Sequence, residues 1–193
     1  MTVREVAREA YREGAPALAA SALGGLLAGI VLGGMRAELR AVPGLLVLVP
    51  ALLATRGNVY GSLGARVATG LHQGLVSPRL SGAEPRLYRA VAAAIANGLL
   101  ASTFAAVVGF AALTALGGSP APLSRLVAIA VLSAALSGIV LSVTVVGVVF
   151  AGFRRGYNPD PLVGPIVTTA GDVFGVAFLF LAVRLVLLVA GVG

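Results

Sequence analysis

Apolar residues run along this chain in long blocks separated by short polar clusters, and neither strand-like alternation nor a single amphipathic face dominates. Ala15 to Gly34 is near-continuous apolar sequence, about the 20 residues that cross a hydrocarbon core. Val42 to Leu71, Ala90 to Leu116, Leu123 to Phe153 and Pro161 to Val192 follow, so the pattern predicts an all-α protein with five transmembrane helices. The Met35 to Arg40 stretch, residues 72 to 85 with Pro78, Gly82 and Pro85, and Gly117-Gly-Ser-Pro-Ala-Pro122 read as the turns between them.

Polar positions refine the picture. Over residues 1–14, Arg4, Arg8 and Arg12 interleave with Glu5, Glu9 and Glu13, while Val3, Val6, Ala7, Ala10 and Tyr11 share the other face; this predicts an interfacial amphipathic helix ahead of a transport unit at 15–193. Ser21, Gly25, Gly29 and Gly33 recur every fourth residue and predict a groove for a neighbouring helix, as do Gly98, Ser102, Ala106 and Gly109. Ser133, Ser137 and Thr144 read as hydroxyls bonded to their own helix, with a pathway lining as the rival reading. Pro50 and Gly57-Asn58 are expected to interrupt the second span. Asn58, Ser62, Arg66 and Thr69 form one polar stripe on it, and Pro165, Thr168, Thr169 and Asp172 form another on the fifth span.

Composition agrees with burial in lipid: 59% of residues are hydrophobic and 11% charged, with a mean hydropathy of +1.02, where a soluble domain carries about 25% charge. The net charge of +7 comes from arginines scattered between apolar runs, which argues against a nucleic-acid partner and for membrane lipid. With no cysteine and one histidine, His72, a metal would be held by oxygen. Acids in the first residues disfavour a cleaved leader. Eight arginines lie in the N-terminal tail, the 72–89 loop and Arg154-Arg155, against three (Arg36, Arg40, Arg125) on the other side, so the N-terminus is expected in the cytoplasm and the C-terminus outside. Arg184 is expected to snorkel.

Asp172 then falls about 18 Å along its helix from Asp160, near mid-membrane, where a charge costs about 2.5 to 3.5 kcal/mol unless an ion, a counter-charge or water compensates it. Pro161 and Pro165 leave carbonyls at the helix entrance without their usual donors, and carbonyls with a carboxylate suit a hard cation: magnesium first, with manganese and calcium fitting the same donors. Three rival readings stand beside an ion path. Asp172 could pair with Arg66 or Arg56 as a structural ion pair. The stripes could belong to a non-transporting subunit. Asp160 and Asp172 could serve an intramembrane aspartyl protease, a reading their separation on one helix opposes, so no enzyme is expected.

Pro50-Ala-Leu-Leu, Gly57-Asn58, Ser62 and Arg66, followed by Asp160-Pro161, Pro165, Thr168-Thr169 and Asp172, resemble the transmembrane domain of MgtE magnesium channels and their solute-carrier relatives. The resemblance covers essentially the whole chain. It implies magnesium transport in the plasma membrane of a prokaryotic cell, through a pore at a dimer interface lined by the second and fifth helices. It also implies that Asp172 binds the ion, with the Thr168 carbonyl, Thr169 and the Gly57-Asn58 break beside it, and with Asp160, Pro165, Ser62 and Arg66 at the entrance or along the path. A homodimer follows most simply, with a heterodimer or a sodium- or proton-coupled exchanger as alternatives. Arg56 stands where the bacterial channels usually have the first glycine of Gly-Gly-Asn and is closer to the solute-carrier form. No counterpart of the channels' cytoplasmic regulatory domains is expected with this sequence, so magnesium-dependent gating is not carried over.

Overall fold

A computed structural model describes residues 3–79, 84–156 and 160–191. Six helices account for most of them: α1 (Val3–Gly34), α2 (Arg36–Ala41), α3 (Leu45–His72), α4 (Pro85–Ala115), α5 (Leu123–Arg154) and α6 (Asp160–Val189). Four of these are long and apolar enough to cross a membrane: α3, α4, α5 and the Gly164–Val189 part of α6. The apolar stretch of α1, Leu18–Gly34, is shorter.

Several boundaries differ from the sequence pattern. The N-terminal amphipathic segment and the first apolar run lie on one continuous helix, and the Met35–Arg40 turn is the short helix α2. The expected breaks at Pro50 and Gly57-Asn58 do not occur, because α3 runs unbroken from Leu45 to His72 with Pro50 inside it. A mid-helix glycine costs only about 1 kcal/mol relative to alanine. Leu48, Leu52, Arg56, Tyr60 and Leu63 pack one face of α3 continuously, which outweighs such a cost. Gly82, Tyr157 and Asn158 lie outside the described residues, as do the side chains of Glu5, Glu9, Arg12, Glu13 and Asp160.

The core falls into two apolar clusters at opposite ends of the bundle. One joins Leu45, Leu48 and Leu52 of α3 to Leu126 and Ile129 of α5, Ala106 of α4 and Leu179 and Val183 of α6. The other joins Tyr60, Leu63 and Val67 to Leu141, Val145 and Val149, Leu87 and Ala94, and Val167. The early part of α3 therefore meets the early part of α5 but the late parts of α4 and α6, so successive long helices alternate in direction. At the start of α3, Gly44 takes φ 90°, where a Cβ would stand 2.9 Å from Leu113 Cδ1 and 3.2 Å from Pro120 Cβ; glycine lets the α4–α5 turn close over this end. The Ala121 N–H donates to the Pro43 carbonyl there at 2.8 Å.

Arg184, expected to snorkel, is engaged by two neighbours. Its Nε donates to Glu38 Oε1 at 3.0 Å, tying α6 to α2, and its guanidinium lies 4.4 Å from the centre of the Phe180 ring. The backbone N–H of Glu38, ahead of the Arg184 guanidinium, holds this carboxyl below its usual range against the burial that pushes it up.

Candidate cation site

The place of Asp172 follows from helix phase. Three residues earlier, Thr169 touches α1: its Oγ1 lies 2.7 Å from the Pro165 carbonyl and 3.2 Å from Ser21 Oγ. Gly24 of α1 sits directly over Thr169, where a Cβ would overlap the threonine methyl. Three residues later, Gly175 touches α3, where a Cβ would stand 2.9 Å from Leu53 Cδ2 and 3.0 Å from Arg56 Nη1. At about 100° per residue, Asp172 points midway between these two contacts, about 60° from each. Because α1 and α3 both flank α6 without packing extensively on one another, the carboxylate faces the cleft between them, half-buried.

Among the described residues no group donates a hydrogen bond to Asp172 and no cation pairs with it; the ion pair there is Arg184 with Glu38. The structural pairing with Arg56 or Arg66 is not made. Arg56 is 2% exposed and turns to α5, where Nε donates to Ser137 Oγ at 2.9 Å and Nη2 donates to Ser133 Oγ. Nη1 has no partner. Ser137 Oγ in turn donates to the Ser133 carbonyl at 2.6 Å, so its lone pairs are free for the guanidinium. Burying an unpaired charge costs on the order of several kcal/mol. Hydrogen bonds involving a charged group return about 1.5 to 3 kcal/mol each, so the two serines offset much of that cost without cancelling the charge.

The second stripe is placed differently from its mate. Asn58, Ser62 and Arg66 line a groove of about 250 Å³ with Ala90, Ala93, Ala94 and Asn97 of α4. Asn58 lies about 200° around α3 from Arg56, the residue that touches α6, so within one protomer the stripe opens toward α4 and is not brought together with Asp172. Arg66 also borders an adjoining pocket of about 500 Å³ with Thr69, Gln73 and Arg86. Gly57 is half-buried with nothing within 4 Å of its Cβ direction, and Thr168 is exposed, its hydroxyl bonded to the Gly164 carbonyl at 2.9 Å. Pro165 is half-buried inside α6, which opens at Asp160.

Two features escape a reading of stripes. Asn97 completes the α3–α4 groove; a lone amide amid an apolar span is its only signal. The Arg56–Ser133–Ser137 cluster joins an arginine on one helix to two hydroxyls spaced i, i+4 on another, and nothing local to either segment reports the match. Among the described residues no three His, Cys, Asp or Glu side chains gather to hold a metal, so one protomer offers a cation a single carboxylate, Asp172, in this cleft.

A family model described as "MgtE: Divalent cation transporter" matches residues 49–182. The chain is also similar to Solute carrier family 41 member 3 of Rattus norvegicus, 27% identical over 169 residues that cover 83% of this chain and 36% of the relative. Solute carrier family 41 member 2 of Homo sapiens is 31% identical over 153 residues, 72% of this chain and 25% of the relative. The chain thus spans between a quarter and about a third of the length of these curated relatives. The match to the family model begins within α3 and ends within α6, taking in Arg56, the α3 stripe and Asp172.

Proposed function

The chain belongs to the MgtE family of divalent cation transporters, and from that premise we propose that it moves magnesium across the plasma membrane of a prokaryotic cell through a pore at a dimer interface. In this reading α1 is a fifth span, the N-terminus is cytoplasmic, and α3 and α6 line the path. One observation carries the proposal: Asp172 is a half-buried acid in an otherwise apolar spanning helix, and among the described residues no donor bonds it and no cation pairs with it. A carboxylate without a contacting partner at that depth implies an ion or water as its partner.

A single carboxylate gives a weak site, which suits conduction, because the ion must leave as readily as it enters. A second copy of the chain supplies a second Asp172. The Thr168 carbonyl and Thr169 stand beside it on α6, and Pro165 and Asp160 lie toward the entrance. Gly57, Asn58, Ser62 and Arg66 are assigned to the wall that α3 contributes where two copies meet. Magnesium keeps several of its waters in such a setting, and oxygen donors are the ones it accepts.

The test is flux. Purified chain in liposomes loaded with a magnesium-sensitive dye is expected to take up Mg2+, and Asp172→Asn is expected to lower that uptake at least about tenfold, as loss of the carboxylate that compensates the ion in the membrane. No uptake by the wild type, or equal uptake by the variant, rejects the assignment.

A further inference from the structure

Arg56 lies between the two apolar clusters of the core, with Leu52 in one and Tyr60 in the other. A guanidinium is not deprotonated in proteins, so this is a permanent positive charge well inside α3, a helix long and apolar enough to cross a membrane. Its neighbours on α5 are neutral hydroxyls, and among the described residues no carboxylate pairs with it. A strut between helices needs donors but no charge, and a glutamine or a hydroxyl would serve it without the burial penalty. The charge also has a direction, because Nη1, without an acceptor among the described residues, lies against Gly175, one helical turn beyond Asp172.

We propose that Arg56 sets the strength of the cation site: held by Ser133 and Ser137, its fixed charge repels the ion at Asp172, shortens its stay and keeps the site fast. This inference rests on the reading of Asp172 as the ion's ligand. Gly175 and Asp172 are separated by about 4.5 Å along the helix axis, which puts Arg56 on the order of 8 Å from an ion at the carboxylate. At that range, with an effective dielectric of about 20, one fixed charge changes the affinity for a divalent ion by at least about tenfold, and a dimer brings two such charges. Arg56 touches neither ion nor water in this account; it acts through its field.

The expected result has a sign that structural damage does not give. Arg56→Met or Arg56→Gln, reconstituted in liposomes, should lower the half-saturating Mg2+ concentration at least about tenfold and reduce the maximal flux, because the ion leaves more slowly. Mn2+ binding to the same purified variants, followed by electron paramagnetic resonance, should tighten in parallel. Arg56→Lys carries the charge only while the buried ammonium stays protonated, so it should stay within about threefold of the wild type at acidic pH and move toward the Met and Gln variants as the pH is raised. Unchanged or weaker affinity in the Met and Gln variants overturns the proposal, and so does failure of both to fold where the Lys variant folds, which marks the charge as structural. Wild-type flux indifferent to Asp172→Asn removes the underlying reading; sensitivity to Asp172→Asn with indifference to Arg56→Met removes only this inference.

Discussion

One turn beyond Arg56 on α3, Tyr60 is buried under different terms. It is 1% exposed, and its Oη finds no hydrogen-bond partner among the described residues. The ring tip lies between α4 and α5 because both supply glycine there: a Cβ on Gly98 would stand 3.2 Å from Oη, and one on Gly138 would overlap it. A buried hydroxyl without a partner costs about 1 to 3 kcal/mol, and removing it recovers that cost while the ring keeps its packing. Tyr60→Phe is therefore expected to leave stability unchanged or raise it by up to about 1 kcal/mol, read as thermal unfolding of the detergent-solubilised protein. A loss larger than that would place a partner at the phenol. Arg56 differs because two of its three guanidinium nitrogens are engaged by Ser133 and Ser137, so truncating it removes interactions as well as a burial cost. The two residues share a helix face, yet opposite outcomes are expected of them.

At the level of elements, the seam between α1 and α6 is the sharpest case of close approach. Ser21, Gly24 and Ala28 face inward there, with Gly24 over Thr169, whereas Gly25 and Gly29 meet nothing within 4 Å. Gly24→Val forces a branched side chain into Thr169 and is expected to cost about 1 to 3 kcal/mol by overpacking, while Gly25→Val should change little within the protomer; unfolding midpoints of the two variants compare them directly. The repeat of Ser21, Gly25, Gly29 and Gly33 marks a small-residue surface legibly, but an i, i+4 repeat and an i, i+3 step start from the same serine, and only the partner's position selects between them. The same limit explains α3. Its length, its apolar content and its polar stripe are written locally, but which neighbour the stripe faces depends on how α4 and α6 are disposed around it, and Asn58, Ser62 and Arg66 turn out to face Asn97. In contrast, Gly98, Ser102 and Ala106 are buried, and Gly109 is half-buried against Leu48, as their spacing predicts, because that helix is covered on a single side. Asp172 was legible for a further reason: an acid within an apolar span is conspicuous whatever surrounds it.

For the whole molecule, a polar layer divides the apolar interior, with Arg56, Ser133 and Ser137 between two clusters whose membership fixes the alternating directions of α3, α4, α5 and α6. The direction of α1 follows from its end, since Ala28 and the adjoining Met35 join the same cluster as Leu45 at the start of α3. Whether α1 crosses the whole membrane decides the topology, because its apolar Leu18–Gly34 stretch is the shortest of the five. If it does, Arg8 and Gln73 share one side and Ser119 lies on the other; if it does not, Arg8 lies with Ser119. The sequence contains no cysteine, so single thiols report without background. Arg8, Gln73 and Ser119 are all exposed, outside the packed interior. If the N-terminus is cytoplasmic, as the arginine bias predicts, a membrane-impermeant maleimide applied to intact cells should label Ser119→Cys and reach Arg8→Cys and Gln73→Cys only after permeabilisation. Labelling of Arg8→Cys together with Ser119→Cys would reduce the protein to four spans and leave Asp172 beside a helix that does not line a through path. Labelling of Arg8→Cys and Gln73→Cys without Ser119→Cys would keep five spans and invert them.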